Sequence, residues 1–122
     1  MNRVLMIDGD RTAMQTLGLA CLERGLGVLM AENLCEGVRS LLTGSVSIIV
    51  VDVEQLRLAP REHAALFERV APGVPVVVVV RPKTALDVRV GFELAGFHVV
   101  TRPPAVEDLL AKALGSEAPC GL

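Results

Sequence analysis

Five short apolar runs, separated by segments with helical periodicity, are the feature that most limits the fold of this chain. The run before Asp52 reads IIVV and the run after Pro75 reads VVVVV, so both are continuous rather than alternating. Continuous runs of this length are typical of central parallel strands that helices cover on both faces. Five strands are therefore predicted, at residues 3–7, 27–31, 47–51, 75–80 and 98–101.

The segments between the strands place apolar residues three and four positions apart, which predicts five helices. Asn33, followed by Glu36 three residues later, is a capping-box pattern and predicts the start of the second helix. Pro60 is expected to begin the third helix, because proline is favoured in the first helical turn. The fourth helix is predicted over residues 84–95, and the fifth follows from the apolar spacing that begins at Val106.

The alternation of five strands with five helices predicts an α/β fold, (βα)5, with a doubly wound parallel sheet. Right-handed crossovers favour the strand order 2-1-3-4-5, which is the flavodoxin-like arrangement. One domain is expected over residues 1–115, followed by a flexible tail over residues 116–122. Because this order makes the first and third strands neighbours at the topological switch point, ligands and chemistry are expected at their carboxyl ends.

Charge and composition exclude several classes of protein. The net charge is −2 and the basic residues are scattered, so nucleic acid is not an expected partner. No apolar stretch approaches the roughly 20 residues of a membrane span, and the N-terminal run is too short for a signal peptide. Cys21, Cys35 and Cys120 lie far apart without a metal-binding spacing, as expected of reduced thiols. A cytoplasmic protein that binds neither membrane nor nucleic acid is therefore predicted.

Two carboxylates lie at the predicted switch point. Asp8 follows the first strand in VLMIDGD, and Asp52 follows the third strand in SIIVVDVEQL. The predicted strand order brings their side chains into one crevice, although about forty residues of sequence separate them. Asp10 follows closely on Asp8, so its side chain is expected either to bind a metal ion with the other acids or to cap the first helix.

The order and spacing of these motifs resemble the receiver domain of two-component response regulators, the CheY-like family, over residues 3–114. The matching stretches are VLMIDGD for the acidic cluster, IIVVD for the phosphoacceptor, PVVVVV for the fourth strand and GFHVVTRPP for a strand that ends in Lys-Pro in the family. The resemblance implies that Asp52 accepts the phosphoryl group of a phosphohistidine, as in a phosphorelay. It also implies an Mg²⁺ ion held by Asp8, Asp10 and Asp52, and a signalling role rather than enzymatic catalysis.

The chain departs from the family pattern at several positions of this site. Gly9 stands where the family usually has a second acid, so the Mg²⁺ site is expected to be weak or lost. Val80 replaces the usual Ser or Thr, and Val99 replaces the aromatic switch residue. Arg102 replaces the usual Lys and keeps its charge as a planar fork, and it precedes Pro103, where the family carries a cis peptide bond. Without a hydroxyl at position 80 and an aromatic ring at position 99, little remains by which phosphorylation could cause a conformational change.

These features predict an atypical receiver domain that works mainly through contact with other proteins, with Asp52 at the phosphoacceptor position. The expected partners are a histidine kinase or another signalling or output protein, and homodimerisation stays open. The alternative is a conventional Mg²⁺-dependent receiver that a histidine kinase phosphorylates on Asp52. A flavin- or nucleotide-binding protein is a remote alternative, because the chain has no Tyr or Trp and no glycine-rich phosphate loop.

The fourth helix and the two histidines leave further alternatives open. Val88, Val90 and Phe92 cannot all face inward with Leu86 and Leu94 on a single helical stripe, so this helix presents either an apolar contact surface or a wide buried face. His63 and His98 are expected to be packing residues rather than sites of phosphotransfer.

Overall fold

A computed structural model of the chain describes residues 2–114. The five predicted strands and five predicted helices are all present in this part of the chain, and a single 3-10 turn at Val53–Gln55 follows the third strand. The predicted tail over residues 116–122 and Cys120 lie outside the described residues. The strands are β1 (Arg3–Ile7), β2 (Gly27–Ala31), β3 (Ile48–Asp52), β4 (Val76–Val80) and β5 (His98–Thr101). The helices are α1 (Arg11–Glu23), α2 (Leu34–Thr43), α3 (Pro60–Val70), α4 (Leu86–Leu94) and α5 (Val106–Leu114).

The strands form one parallel sheet in the order β2-β1-β3-β4-β5, which confirms the predicted topology. Ile7 at the end of β1 pairs with Val51 of β3, and Asp52 pairs with Val79 of β4. The carboxyl ends of β1, β3 and β4 therefore lie side by side. This edge of the sheet contains the switch point at which the sequence predicts the functional residues.

The core consists of two layers, one on each face of the sheet, because alternate side chains of a strand point to opposite faces. One layer contains Leu5, Ile49 and Val78 of the strands together with Phe67 of α3. The other contains Met6, Val50 and Val77 together with residues of α1 and α5, among them Met14 and Leu109. All five residues of β4 are buried, which explains why its sequence is an uninterrupted run of valine.

The three phenylalanines of the chain form one aromatic cluster under α3 and α4. The ring of Phe97 contacts that of Phe67 edge to face at 6.1 Å and that of Phe92 at 5.6 Å, measured between ring centroids. Such aromatic pairs add to the free energy of burial. The cluster therefore packs α3 and α4 against Phe97, the residue that precedes β5.

His63 lies in the core, as a packing residue, with only 1% of its surface exposed. Its Nε2 atom accepts a hydrogen bond from the backbone N–H of Leu58 at 2.9 Å. A ring nitrogen that accepts is unprotonated, so the neutral tautomer with hydrogen on Nδ1 is required. Burial lowers the pKa of His63, and the nearby charge of Glu62 opposes this effect more weakly.

Helix α4 is shorter than predicted and presents apolar side chains to solvent. It begins at Leu86 rather than at Thr84, because Thr84 closes a turn with Arg81 before the helix. Within α4 only Phe92 is buried. The exposed apolar side chains are those of Leu86, Val88, Val90 and Leu94. The helix therefore exposes an apolar surface, and the alternative of a wide buried face is wrong. None of the helices within residues 2–114 has the length and apolarity that a membrane crossing requires.

Candidate functional site

Asp52 is the last residue of β3 and the central acid of the site. Its side chain is only 3% exposed. The Oδ1 atom accepts hydrogen bonds from Nη1 of Arg81 at 2.8 Å and from Nη2 of Arg102 at 2.9 Å. Two guanidinium groups thus satisfy one oxygen of a buried carboxylate, which compensates its loss of hydration.

Arg102 connects Asp52 to the other strand-end acid. Its Nη2 atom also donates a hydrogen bond to Oδ2 of Asp8 at 2.7 Å, so one nitrogen joins the two carboxylates. Burial by itself lowers the pKa of Arg102, but the hydrogen bonds and charges of Asp8 and Asp52 raise it above its ordinary value. The guanidinium is therefore a permanent cation between the two acids. The peptide bond from Arg102 to Pro103 is cis, as the resemblance implies.

Arg81 belongs to the site although the sequence analysis did not identify it. It follows Val80 directly, at the carboxyl end of the strand that pairs with β3. Its Nη1 atom bonds Asp52, and its Nη2 atom lies 3.3 Å from Oε1 of Glu54. The hydrogen bond to Asp52 is the main reason why the pKa of Arg81 is raised. The available signal was its position, one residue beyond β4 at the edge where Asp52 lies.

Asp10 caps helix α1 rather than joining the other acids. Its Oδ1 atom accepts a hydrogen bond from the backbone N–H of Ala13 at 3.1 Å, and its own N–H bonds Oδ1 of Asp8 at 2.9 Å. A carboxylate in this position stabilises the helix by satisfying a free N–H and opposing the helix dipole. The helix-capping alternative is therefore confirmed. Gly9 lies in the loop between the two, where an added Cβ would come 3.3 Å from Nε2 of Gln55.

The described residues do not fit the Mg²⁺ site that the resemblance implies. No three Asp, Glu, His or Cys side chains in residues 2–114 are grouped so that they could hold a metal ion. Asp10 turns to the helix, Gly9 has no carboxylate, and Nη2 of Arg102 bonds both Asp8 and Asp52. Mg²⁺ needs several oxygen ligands and would lie against a fixed positive charge here. The predicted ligand set of Asp8, Asp10 and Asp52 is thus not assembled.

Val80 and Val99 are both buried in the core layer that faces α3 and α4. Val80 therefore offers neither a hydroxyl nor an exposed atom to the acid site. The cavity beside Asp52 has a volume of about 30 Å³ and is lined by Asp8, Met14 and Arg102 among others. Pockets for flavins or nucleotides are typically at least about 300 Å³, so this space does not fit such a cofactor.

Comparison with known proteins agrees with the fold. No family model matches the chain. The transcriptional regulatory protein GlrR of Escherichia coli is 26% identical over 119 residues, which cover 95% of this chain and 27% of GlrR. The uncharacterized transcriptional regulatory protein YkoG of Bacillus subtilis is 23% identical over 109 residues, covering 89% of this chain and 48% of YkoG. The chain thus spans about a quarter to a half of the length of these curated relatives.

Several solved structures share the fold. A response regulator from Burkholderia pseudomallei, with a phosphorylated aspartic acid and a calcium ion, superposes with a TM-score of 0.81 at 21% identity, covering 99% of this chain and 72% of that one. A CheY-like receiver domain protein from Methanospirillum hungatei gives 0.78 at 20% identity, covering 95% and 93%. The beryllofluoride-activated NtrC4 receiver domain dimer gives 0.80 at 21% identity, covering 95% and 96%. The resemblance is therefore confirmed: the chain has the CheY-like fold of response regulator receiver domains and is similar in sequence to transcriptional regulatory proteins over nearly its whole length.

Proposed function

We propose that the chain is an atypical receiver domain that acts mainly through contact with other proteins, with Asp52 at the phosphoacceptor position. The observation that carries this proposal is the bridging of Asp8 and Asp52 by one nitrogen of Arg102, with Arg81 bonded to the same oxygen of Asp52. Each negative charge of this cluster already has a cationic partner. The site therefore has no need of a metal ion or a phosphoryl group to be electrostatically complete.

The same contacts oppose phosphorylation of Asp52. An aspartate attacks phosphorus effectively only when cations and hydrogen-bond donors stabilise the charge that develops on the phosphoryl oxygens. Here the guanidinium groups of Arg81 and Arg102 are engaged with the carboxylates, and Val80 offers no hydroxyl. A carboxylate that accepts two charged hydrogen bonds is also a weaker nucleophile, because its electron pairs are held by the donors.

The proposed partners are proteins of two-component signalling: a histidine kinase or an output or other signalling protein. The apolar side chains that α4 exposes, among them Leu86 and Leu94, support a role in protein contact. The similar proteins are named transcriptional regulators and are longer than this chain, and one similar structure is a receiver dimer. We therefore propose a non-enzymatic domain of the cytoplasm that binds an output protein, a kinase or a second copy of itself.

A phosphorylation assay separates this proposal from the alternative of a conventional Mg²⁺-dependent receiver. The intact mass of the protein would be measured after incubation with Mg²⁺ and acetyl phosphate, beside an Asp52→Asn variant and an ordinary receiver domain. We expect the ordinary receiver to gain one phosphoryl group while this protein gains none. A gain that depends on Asp52 would contradict the proposal and support the conventional alternative.

A further inference from the structure

Arg81 links the acid site to the segment that starts α4. At one end, its guanidinium bonds Oδ1 of Asp52 at 2.8 Å and lies 3.3 Å from the carboxylate of Glu54. Asp52 is nearly fully buried, so the acceptor has a fixed position. A guanidinium that bonds a buried carboxylate and lies beside a second, exposed one loses part of its freedom, and this restrains the backbone of Arg81 as well.

At the other end, the backbone of Arg81 closes the turn before α4. Its N–H donates a hydrogen bond to Oγ1 of Thr84, and the N–H of Thr84 donates to the carbonyl of Arg81, each at 3.0 Å. Ala85, the N-cap residue of α4, makes no side-chain hydrogen bond to the helix. Among the described residues, Asp87 bonds only the N–H of Val88, within the helix, so the hydrogen-bonded turn before α4 is what connects the start of the helix to β4.

A second route leads from the same acid to the middle of α4. Nη2 of Arg89 donates a hydrogen bond to Oγ1 of Thr101 at 2.7 Å. Thr101 ends β5 and precedes Arg102, whose backbone N–H bonds the carbonyl of Val80 at 2.8 Å and whose side chain bonds Asp52. The start and the middle of α4 are thus both tied, through arginines, to one oxygen atom of Asp52.

We propose that Arg81 is a positioning residue that holds the 81–84 turn and the start of α4 in one conformation, with no phosphoryl group on Asp52. The inference deepens the proposed function, because it gives the regulation of the same site. Val80 has no hydroxyl to make a switchable contact with the acid, and the neighbouring guanidinium makes a permanent one instead. The apolar surface of α4 is then presented to partners in a constant position.

Hydrogen exchange of single amides, measured by NMR, tests this role of Arg81. Arg81→Gln removes the ion pair but keeps the backbone donor of the turn, and Asp52→Asn removes the charge at the other end. Arg81→Lys restores one charged donor and serves as the rescue. Arg57→Gln, at an exposed position of the loop between β3 and α3, is the matched control.

The informative amides are those of Thr84, Val88 and Arg89, which donate hydrogen bonds in the turn and in the first turn of α4. The amide of Ile49, which bonds the carbonyl of Pro75 in the sheet, reports on global opening. In Arg81→Gln we expect the first three amides to exchange about five- to ten-fold faster, as for a charged hydrogen bond to a partly exposed donor, with Ile49 unchanged. In Asp52→Asn, which also removes the buried acceptor of Arg102, we expect these three amides to be accelerated by a larger factor than Ile49. Arg81→Lys should recover part of the protection, and the Arg57 variant should match the wild type.

Two results would overturn the inference. One is exchange within about two-fold of the wild type at the amides of Thr84, Val88 and Arg89 in both Arg81→Gln and Asp52→Asn, a difference too small for a charged hydrogen bond. The other is an acceleration of Ile49 equal to that of the three amides, because this would show a loss of overall stability rather than of a local contact. The phosphorylation assay is independent of both readouts, so a failure of the proposed function and a failure of this inference are distinguishable.

Discussion

Replacing Arg102 with methionine is expected to lower the free energy of unfolding by about 3–4 kcal/mol. The substitution removes two charged hydrogen bonds, to Asp8 at 2.7 Å and to Asp52 at 2.9 Å, in a place where the side chain of Arg102 is 19% exposed. A hydrogen bond to a charged group contributes about 1.5–3 kcal/mol, and loss of one partner of a buried ion pair costs about 3–5 kcal/mol. The lower part of this range applies because Arg81 still bonds Asp52 and methionine keeps the apolar stem.

Urea denaturation followed by far-UV circular dichroism measures this loss, since the chain has no Trp or Tyr for fluorescence. In an Asp52→Asn background the same substitution should cost about 1–2 kcal/mol less, because one of its two partners no longer carries a charge. Arg11→Met is the control: Arg11 and Glu32 form an exposed pair, 76% and 46% exposed, and about 1 kcal/mol or less is expected. An equal loss of stability from Arg102→Met in the wild-type and Asp52→Asn backgrounds would refute the coupling between Arg102 and Asp52. A loss no larger than that from Arg11→Met would refute it as well.

Three further predictions concern the protonation of His63, the binding of Mg²⁺ and the packing of the aromatic cluster. Because burial lowers the pKa of His63, the unfolded chain takes up a proton before the folded one as pH falls below about 6.5, and the free energy of unfolding then declines by at most about 1.4 kcal/mol per pH unit. In His63→Gln the urea midpoints measured near neutral pH and near pH 5 should converge. An unchanged dependence of the midpoint on pH in this variant would contradict the prediction. Gly9→Asp combined with Arg102→Lys should produce Mg²⁺ binding in isothermal titration calorimetry, and equal binding by the wild type would refute the stated misfit. Phe97→Ala should lower the free energy of unfolding by about 3–5 kcal/mol in urea titrations. Leu94→Ala, at an 84% exposed side chain, should change it by about 0.5 kcal/mol or less. Similar losses of stability in the two variants would argue against the aromatic cluster.

The fold was predictable because its signals are local and repeated. The continuous valine run of β4 and the strand that ends at Asp52 identify central parallel strands, and all five residues of each are buried. The strand order then follows from the handedness of the crossovers. The start of α4 was predicted two residues too early, because helical periodicity does not show that Thr84 serves as the acceptor of a turn.

The site residues whose positions are fixed by strand ends were predictable from the sequence. Those whose contacts depend on the conformation of a long side chain were not. Asp8 and Asp52 lie at the ends of the neighbouring strands β1 and β3, and Arg102 follows β5 at the same edge of the parallel sheet, so topology places all three residues at one edge. Arg81 lies beyond a strand end too, but a long side chain has many rotamers, and its sequence position does not say whether it turns to the acids or to solvent. Asp10 had two competing roles, and only the backbone geometry of α1 decides for the cap.

The pairing of charges at the carboxyl edge of the sheet has a consequence for how fast partners arrive. Asp8, Asp52, Arg81 and Arg102 carry two negative and two positive charges, joined by contacts of 2.7 to 2.9 Å. At distances near the Debye length, about 8 Å at physiological ionic strength, their fields largely cancel. An approaching protein is therefore steered little by these four groups, and their effect on its association rate should depend little on salt. Recognition of a partner at this edge then depends on shape and apolar contacts, which form after the two proteins have collided and not during their approach.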